Sequence, residues 1–180
     1  SYYTYYNYKI GDGFRNNSDF ISNNLYTHLG YKIGDKTKVS GEISYLNYLA
    51  HQAGGLSDRM FALDPMQSNR SRNWFGLDWL LFNIKIKHKF NSNSNLSLNF
   101  FGLDAERNSI GFRSNRVDQV DPFTERDLIK GKFNNHGLEI KFLNNYKFLN
   151  RKNVFVIGGK YYKSKSTSRQ GPGSNLENAD

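Results

Sequence analysis

The chain has 180 residues, a formal net charge of +9, 16% aromatic residues, 23 Asn and no Cys. That length suits one ordinary domain or a piece of a larger one. The lack of Cys excludes disulfide scaffolds and thiolate metal sites, and 3 Pro with 16 Gly exclude collagen-like and Pro-rich classes. No run of about 18 apolar residues exists to make a transmembrane helix. The 12 Tyr and 14 Phe favour strands, Asn and Gly favour turns, and so many aromatics argue against disorder.

Ser1-Tyr-Tyr-Thr-Tyr5 has neither Met nor a signal-peptide core, so processing or an internal segment is expected. Tyr2 to Ile10 reads as the end of a first strand, with a loop through Gly11-Asp-Gly13 to Asp19. Period-two alternation then takes over. From Ile21 to Ile33 the odd positions are mostly apolar and the even ones polar or small, ending at a hairpin turn, Gly34-Asp-Lys-Thr37. Lys38 to Leu49 alternates again, with Val39, Ile43 and Tyr45 against Lys38, Ser40 and Glu42. Ala50 to Asn73 is a long polar stretch, in which Ser57 to Ala62 is expected to hold a helical turn.

Trp74 to Phe90 puts Leu80, Phe82, Ile84 and Ile86 on one parity, but Phe75, Leu77, Trp79 and Leu81 on the other. Either a bulge near Leu80-Leu81 reconciles the two, or the upper part leaves the apolar zone. After the turn Asn91 to Asn95, Leu96, Leu98 and Phe100 alternate with Ser97 and Asn99. Asp104 to Asn135 reads as a second long polar connection. From His136, Leu138, Ile140, Phe142, Tyr146 and Phe148 oppose Glu139, Lys141, Asn145 and Lys147. A turn at Asn150-Arg-Lys-Asn153 leads to a last strand, Val154 to Tyr162, and a polar tail from Lys163. All three prolines fall in the long connections, as strands require.

The expected fold is all-β: about seven antiparallel strands, amphipathic, joined alternately by short turns and long loops. That alternation marks a transmembrane β-barrel with short periplasmic turns and long extracellular loops. Lipid cannot satisfy backbone N–H and C=O groups, so spanning strands must pair around a ring. A soluble β-sandwich is the competing architecture, with shorter strands and no long–short rule. A nucleic-acid surface, with aromatics beside Lys as at Tyr161-Tyr-Lys163, lacks any recognisable motif, so no nucleic acid is expected as a partner.

Charge is distributed unevenly. Nine of ten arginines (Arg15, Arg59, Arg70, Arg72, Arg107, Arg113, Arg116, Arg126 and Arg169) fall in the expected long connections and Arg151 in a short turn, while lysines populate the lumen parity. Guanidinium forks suit carboxylate or phosphate, so an anion-attracting mouth is expected, against the plainer alternative of solvated loops. His28, His51, His88 and His136 lack metal-ligand spacing. Asp104, Asp118, Asp121 and Glu125 could gather around a hard cation, though a solvated acidic loop is the simpler reading. No enzyme and no cofactor are expected.

The block His51-Gln-Ala-Gly-Gly-Leu56-Ser-Asp58, with Asp64-Pro-Met-Gln-Ser68-Asn-Arg70-Ser-Arg72-Asn-Trp74-Phe75, resembles TonB-dependent receptors, most like the ferric-dicitrate-receptor-like group. Gly11 to Arg15, Phe101 to Ala105, Gly111 to Arg113, Asp127 to Asn135 and Gly171 to Ser174 fit the same pattern. The resemblance implies a 22-stranded outer-membrane barrel of a Gram-negative bacterium, with a plug domain. It implies import of a ferric citrate-like chelate, as transported ligand, driven by the TonB complex. Residues 1–180 then form a partial barrel domain without its plug, embedded in outer-membrane lipid, and the terminus Glu177-Asn-Ala-Asp180 lacks the expected aromatic. By their chemistry Arg70, Arg72 and Gln67 in one loop, and Arg113 and Arg116 in the next, are the candidate ligand contacts. Bracing of neighbouring loops, or contact with lipopolysaccharide phosphates, is the alternative role. A small passive porin-like barrel and a soluble polyanion-binding β-domain are the alternative functions.

Overall fold

A computed structural model describes residues 1–173 of the chain. Ser174 and the terminus Glu177 to Asp180, used above, lie outside the described residues. Seven strands follow in order: β1 (Tyr2–Gly11), β2 (Phe20–Ile33), β3 (Thr37–His51), β4 (Trp74–Lys89), β5 (Ser94–Gly111), β6 (Arg126–Phe148) and β7 (Arg151–Gly173). One helical turn, α1 (Asp58–Leu63), interrupts the second long loop, capped by the Ser57 hydroxyl, which accepts from the Met60 N–H. The strands form one antiparallel sheet in chain order, each hydrogen-bonded to its sequence neighbours. There is no second sheet among the described residues, so this is not the sandwich alternative.

The pairing is residue-for-residue along every hairpin, from Thr37↔His88 to His51↔Trp74 in β3–β4 and from Arg126↔Gly173 to Phe148↔Arg151 in β6–β7. The bulge expected near Leu80-Leu81 is therefore absent. Because parity never slips, every side chain can be assigned to one of two faces. The first face carries exposed Leu29, Ile43, Ile84, Phe100, Leu138 and Ile140. The second carries Lys38, Ser40, Glu42, Lys85 and Lys87 at the same heights. Toward the long loops the polarity inverts: the second face there presents Phe20, Leu46, Tyr48, Phe75, Leu77 and Trp79. The rings of Phe20, Tyr48 and Phe75 lie 6.3 and 6.4 Å apart in succession. The parity switch within β4 is this inversion, the second of the two expectations.

The apolar zone of the first face also slopes. Its last exposed apolar residues on the long-loop side are Ile10 and Ile21 on β1 and β2, Ile43 on β3, Leu80 on β4, then Phe100, Leu138 and Tyr161 on β5 to β7. Through the register, Ile10 lies level with Leu49, and Tyr161 level with Gly41. The limit thus drops by eight residues of β3, about 26 Å along a strand, across six strand spacings, about 29 Å. That is a slope of roughly 42°, within the tilt of membrane barrel strands, about 35–45°. A flat apolar slab crossed by tilted strands produces this drift; a core under a second layer has no reason to.

Several boundaries differ from the sequence expectation. β5 continues to Gly111, β6 begins at Arg126 and β7 runs to Gly173. The long connection expected over Asp104 to Asn135 shrinks to residues 112–125, and the polar tail is strand from Lys163 as far as Gly173. Arg107, Arg126, Arg151 and Arg169 therefore lie in strands, not in connections. Pro172 lies in β7, one residue before its end at Gly173, opposite Asp127, and not in a connection. The hairpin after β6 turns at Leu149 and Asn150, both at positive φ, rather than at Asn150 to Asn153. In β5 to β7 these added stretches carry no clear hydropathy period, so the ladder continues there without a signal in the sequence.

Glycines at two rows let aromatic rings lie on the sheet. Phe82 covers its partner Gly102 on the first face, and Phe101 covers Gly137 on the second. A methyl group at Gly102 would meet the Phe82 ring at 2.4 Å.

The two faces make opposite predictions. Ile84→Lys and Leu138→Lys should each destabilise the lipid-folded protein by about 2–4 kcal/mol. Ser44→Lys, on the other face, should cost about 0.5 kcal/mol or less. Urea titration in lipid vesicles checks this, and equal costs on both faces would refute the assignment of the first face to lipid.

Candidate loop-cluster site

The three long connections meet at one end of the sheet. Their meeting point is the Gln52-Ala-Gly-Gly55 block. The Gln52 N–H donates to the Asn73 carbonyl at 2.8 Å, and the Ala53 carbonyl accepts from the Ser68 hydroxyl at 3.0 Å. Gly54 has φ +74°, and the stem of Arg70 fills the space beside it, 2.7 Å from where a Cβ would stand. Its carbonyl accepts from the Arg15 guanidinium, which also donates to the Gln67 carbonyl at 3.3 Å. Gly55 lies against Val117 of the next loop. Two glycines in succession here are a packing requirement: any side chain at Gly54 would displace Arg70 and force an unfavourable backbone.

Arg70 is 5% exposed, and its guanidinium is spent on the chain itself. It donates to the carbonyls of Asn69 (3.0 Å), Gln119 (2.9 Å) and Arg116 (3.4 Å) and to the Ser114 hydroxyl (2.8 Å). It also lies 5.1 Å from the centre of the Phe112 ring. Arg72 forms a two-pronged pair with Asp121, at 2.9 and 2.6 Å, and donates to the Thr124 carbonyl at 3.1 Å. The Phe123 ring lies 4.9 Å from that guanidinium. Phe123 itself has φ 57°, unfavourable for a side chain of its size, and its N–H is held by Asp121 at 2.8 Å. Arg126, 2% exposed, donates to the Arg72 carbonyl at 2.8 Å. Asn73 pairs with both backbone groups of Phe112, its amide donating at 3.2 Å and its oxygen accepting at 2.8 Å. Apart from the Arg70–Asn69 and Phe123–Asp121 bonds, each of these ties the 52–73 loop to the 112–125 loop or to its end at Arg126.

The candidate ligand residues therefore separate into two groups. Arg70 and Arg72 are inter-loop braces, and Gln67 donates to the Met60 (2.5 Å) and Asp64 (3.0 Å) carbonyls within its own loop. Arg113 and Arg116 are exposed; Arg113 donates to Ser109 at 3.0 Å, and Arg116 holds Asp118 at 3.1 and 2.7 Å. Sequence reasoning missed the importance of Asp121 and Arg126. The only signal for either was charge within a polar stretch, since their burial depends on how the loops fold back. Asp118 and Asp121 are thus occupied by arginines, and no group of three or more His, Asp or Glu suited to a metal occurs among the described residues. His51 meets Asp19 at 2.5 Å and His28 meets Glu42 at 3.3 Å, as isolated pairs.

Burial at Asp121 raises its carboxyl pKa. The Arg72 hydrogen bonds, the Phe123 N–H and the charges of Arg72 and Arg70 outweigh this, and the net shift is downward. The Arg72 guanidinium is shifted upward, chiefly by its hydrogen bond to Asp121. A carboxyl held below its unfolded value, about 3.9, adds stability above that pH and loses it as pH falls through the folded value. The loop cluster should accordingly stay closed down to about pH 4 and loosen below it. Protease susceptibility of residues 112–125 against pH measures this; loosening at neutral pH would contradict it. Arg72→Ala leaves Asp121 buried and unpaired, and should cost the closed loop pair about 3–5 kcal/mol. Hydrogen exchange at 112–125 should accelerate accordingly, with the mid-strand amides of β3 and β4 unaffected.

Comparison of the sequence with protein-family models and with curated proteins returns no match. The fold does have a solved counterpart, the ferric citrate transporter FecA in its unliganded form. It superposes on 93% of this chain with a TM-score of 0.80 at 16% identity. The chain spans about a quarter, 24%, of the transporter's length. The chain thus shares the fold of about a quarter of that transporter.

Proposed function

We propose that this chain is a wall segment of an outer-membrane barrel that imports a ferric citrate-like anionic chelate. The observation that supports the reading most is the seven-strand superposition on a ferric citrate transporter, joined to an apolar face that slopes like a membrane span. The plug that would couple such a barrel to the TonB complex is not among the described residues. The segment's contribution is to carry charge and position loops rather than to do chemistry. Its second face lines the lumen and sets Lys38 directly opposite Lys87, with Lys85 two residues further along the strand. Like charges placed side by side repel each other and attract an anion.

Arg113 and Arg116 are the residues of the candidate set that can reach a ligand, because they are exposed at the loop surface. Arg70 and Arg72 act through the braces that hold that loop. Calorimetric titration of the detergent-solubilised receptor containing this segment with ferric citrate tests the division. Arg113→Ala with Arg116→Ala should weaken binding about tenfold or more, as expected for lost charge-assisted hydrogen bonds. Unchanged affinity would remove both residues from the ligand site. Arg70→Ala should open the loops to protease whether or not chelate is present.

A further inference from the structure

Above the apolar zone, the first face divides by charge into two halves. β4 and β5 carry Asp78, Asp104 and Glu106, and β6 and β7 carry Lys132, Lys163 and Lys165. Unbroken pairing keeps all six on the face of Ile84, Phe100, Leu138 and Tyr161. The acidic half is a hollow of about 810 Å³, whose lining includes Tyr45, Asn47, Asp78, Asp104 and Glu106. The Tyr45 hydroxyl and the Asn47 amide each donate to the Asp78 carboxylate at 3.2 Å. The Asn108 amide donates to Glu106 at 2.9 Å. These bonds set the direction of both carboxylates, while Asp78 and Asp104 stay exposed. On the basic half Lys163 and Lys165 are exposed, and the Lys132 ammonium meets Glu106 at 2.9 Å while remaining 67% exposed.

Strand tilt brings acid and base to matching heights. In register Lys163 is level with Phe82 and Lys165 with Leu80, four and two residues short of Asp78. Three strand spacings at a tilt of about 42° raise β7 above β4 by about 10 Å, and four residues of tilted strand take back the same amount. Asp78 and Lys163 therefore stand within about 1 Å of one height and about 20 Å apart sideways. For Glu106 and Lys165 the corresponding values are about 2 Å and about 12 Å. The midpoints of the two pairs fall within about 1 Å of a single line along the membrane normal. A two-fold axis on that line lays Asp78 over Lys163 of a second copy, Glu106 over its Lys165, and the reverse. Copies that share a membrane have the same orientation and height, so a two-fold axis between them lies along the membrane normal. Directly below the charges, exposed Leu80, Phe100 and Leu138 supply an apolar strip for the same contact.

We propose that this charge-divided part of the first face is a self-complementary surface for a second copy of the protein. The two copies form a dimer in the membrane plane, in which Lys163 and Lys165 of each enter the acidic hollow of the other. The proposal rests on the assignment of the first face to lipid made above. A second copy is favoured over a basic peptide or a polyamine because matched heights and one common axis matter only to a symmetric partner. Asp104 lies within about 2 Å of that axis, against its own counterpart, so it is the acid that opposes the pairing.

The test uses the folded receptor containing this segment, reconstituted in phosphatidylcholine vesicles, with donor and acceptor dyes on separate populations and energy transfer as the readout of association. D78K/E106K and K163E/K165E should each weaken association by about tenfold or more. Mixing those two variants should restore transfer, because an all-basic face then meets an all-acidic one. The fourfold exchange D78K/E106K/K163E/K165E should restore it within one population, and D104N should associate at least as well as the wild type. A folded wild type that stays monomeric at every protein-to-lipid ratio would overturn the pairing and leave the barrel reading intact. So would folded variants that neither mixing nor the fourfold exchange rescues, or a D104N that dissociates as readily as D78K/E106K, which is the behaviour of an acidic site for a small cation or a basic peptide. Failure of the wild type to fold in vesicles would overturn both readings together.

Discussion

Everything in this structure depends on an unbroken antiparallel hydrogen-bond ladder. Each of the six hairpins pairs without insertion, so the choice of face made at one end of a strand holds to the other. In a medium that offers no hydrogen bonds the ladder is obligatory, and in water it is merely favourable. Here the ladder runs unbroken while side-chain chemistry changes around a constant backbone. Ile84 and Asp78 share a face of β4, as do Leu138 and Lys132 of β6, because they stand at different heights on one pleat.

Few hydrophobic residues are buried. Ala50, Ala53 and Ile110 are the buried apolar residues of the described chain, all at the long-loop end. A soluble domain of this length would hide most of its Leu, Ile and Phe; this one leaves many of them exposed, and within the strands all of those but Leu81 lie on the first face. The order of the loop end comes instead from polar braces. Arg70, Arg72, Arg126 and Asp121 are buried or nearly so, and most of their bonds run between loops rather than within one. Such networks hold one geometry when every member is satisfied and fail together when one is removed. Arg113 and Arg116 stay exposed on the loop that these braces hold.

The sequence by itself determined the strand count, the alternation of short turns and long loops, and the apolar parity of each span, because alternation is visible wherever one face meets an apolar medium. It also located the Gln-Ala-Gly-Gly block, the helical turn after Ser57 and the group of arginines from which the braces come. It could not show that β5 continues to Gly111, that β6 begins at Arg126 or that β7 runs to Gly173, since those stretches carry no clear hydropathy period. Nor could it separate the bracing Arg70 and Arg72 from the exposed Arg113 and Arg116, all of which look alike as basic residues in polar stretches. That division was decided only by the tertiary structure, which brings two loops about fifty residues apart in sequence within hydrogen-bond reach. A guanidinium enclosed by carbonyls is a brace, and one left in water is available to a ligand.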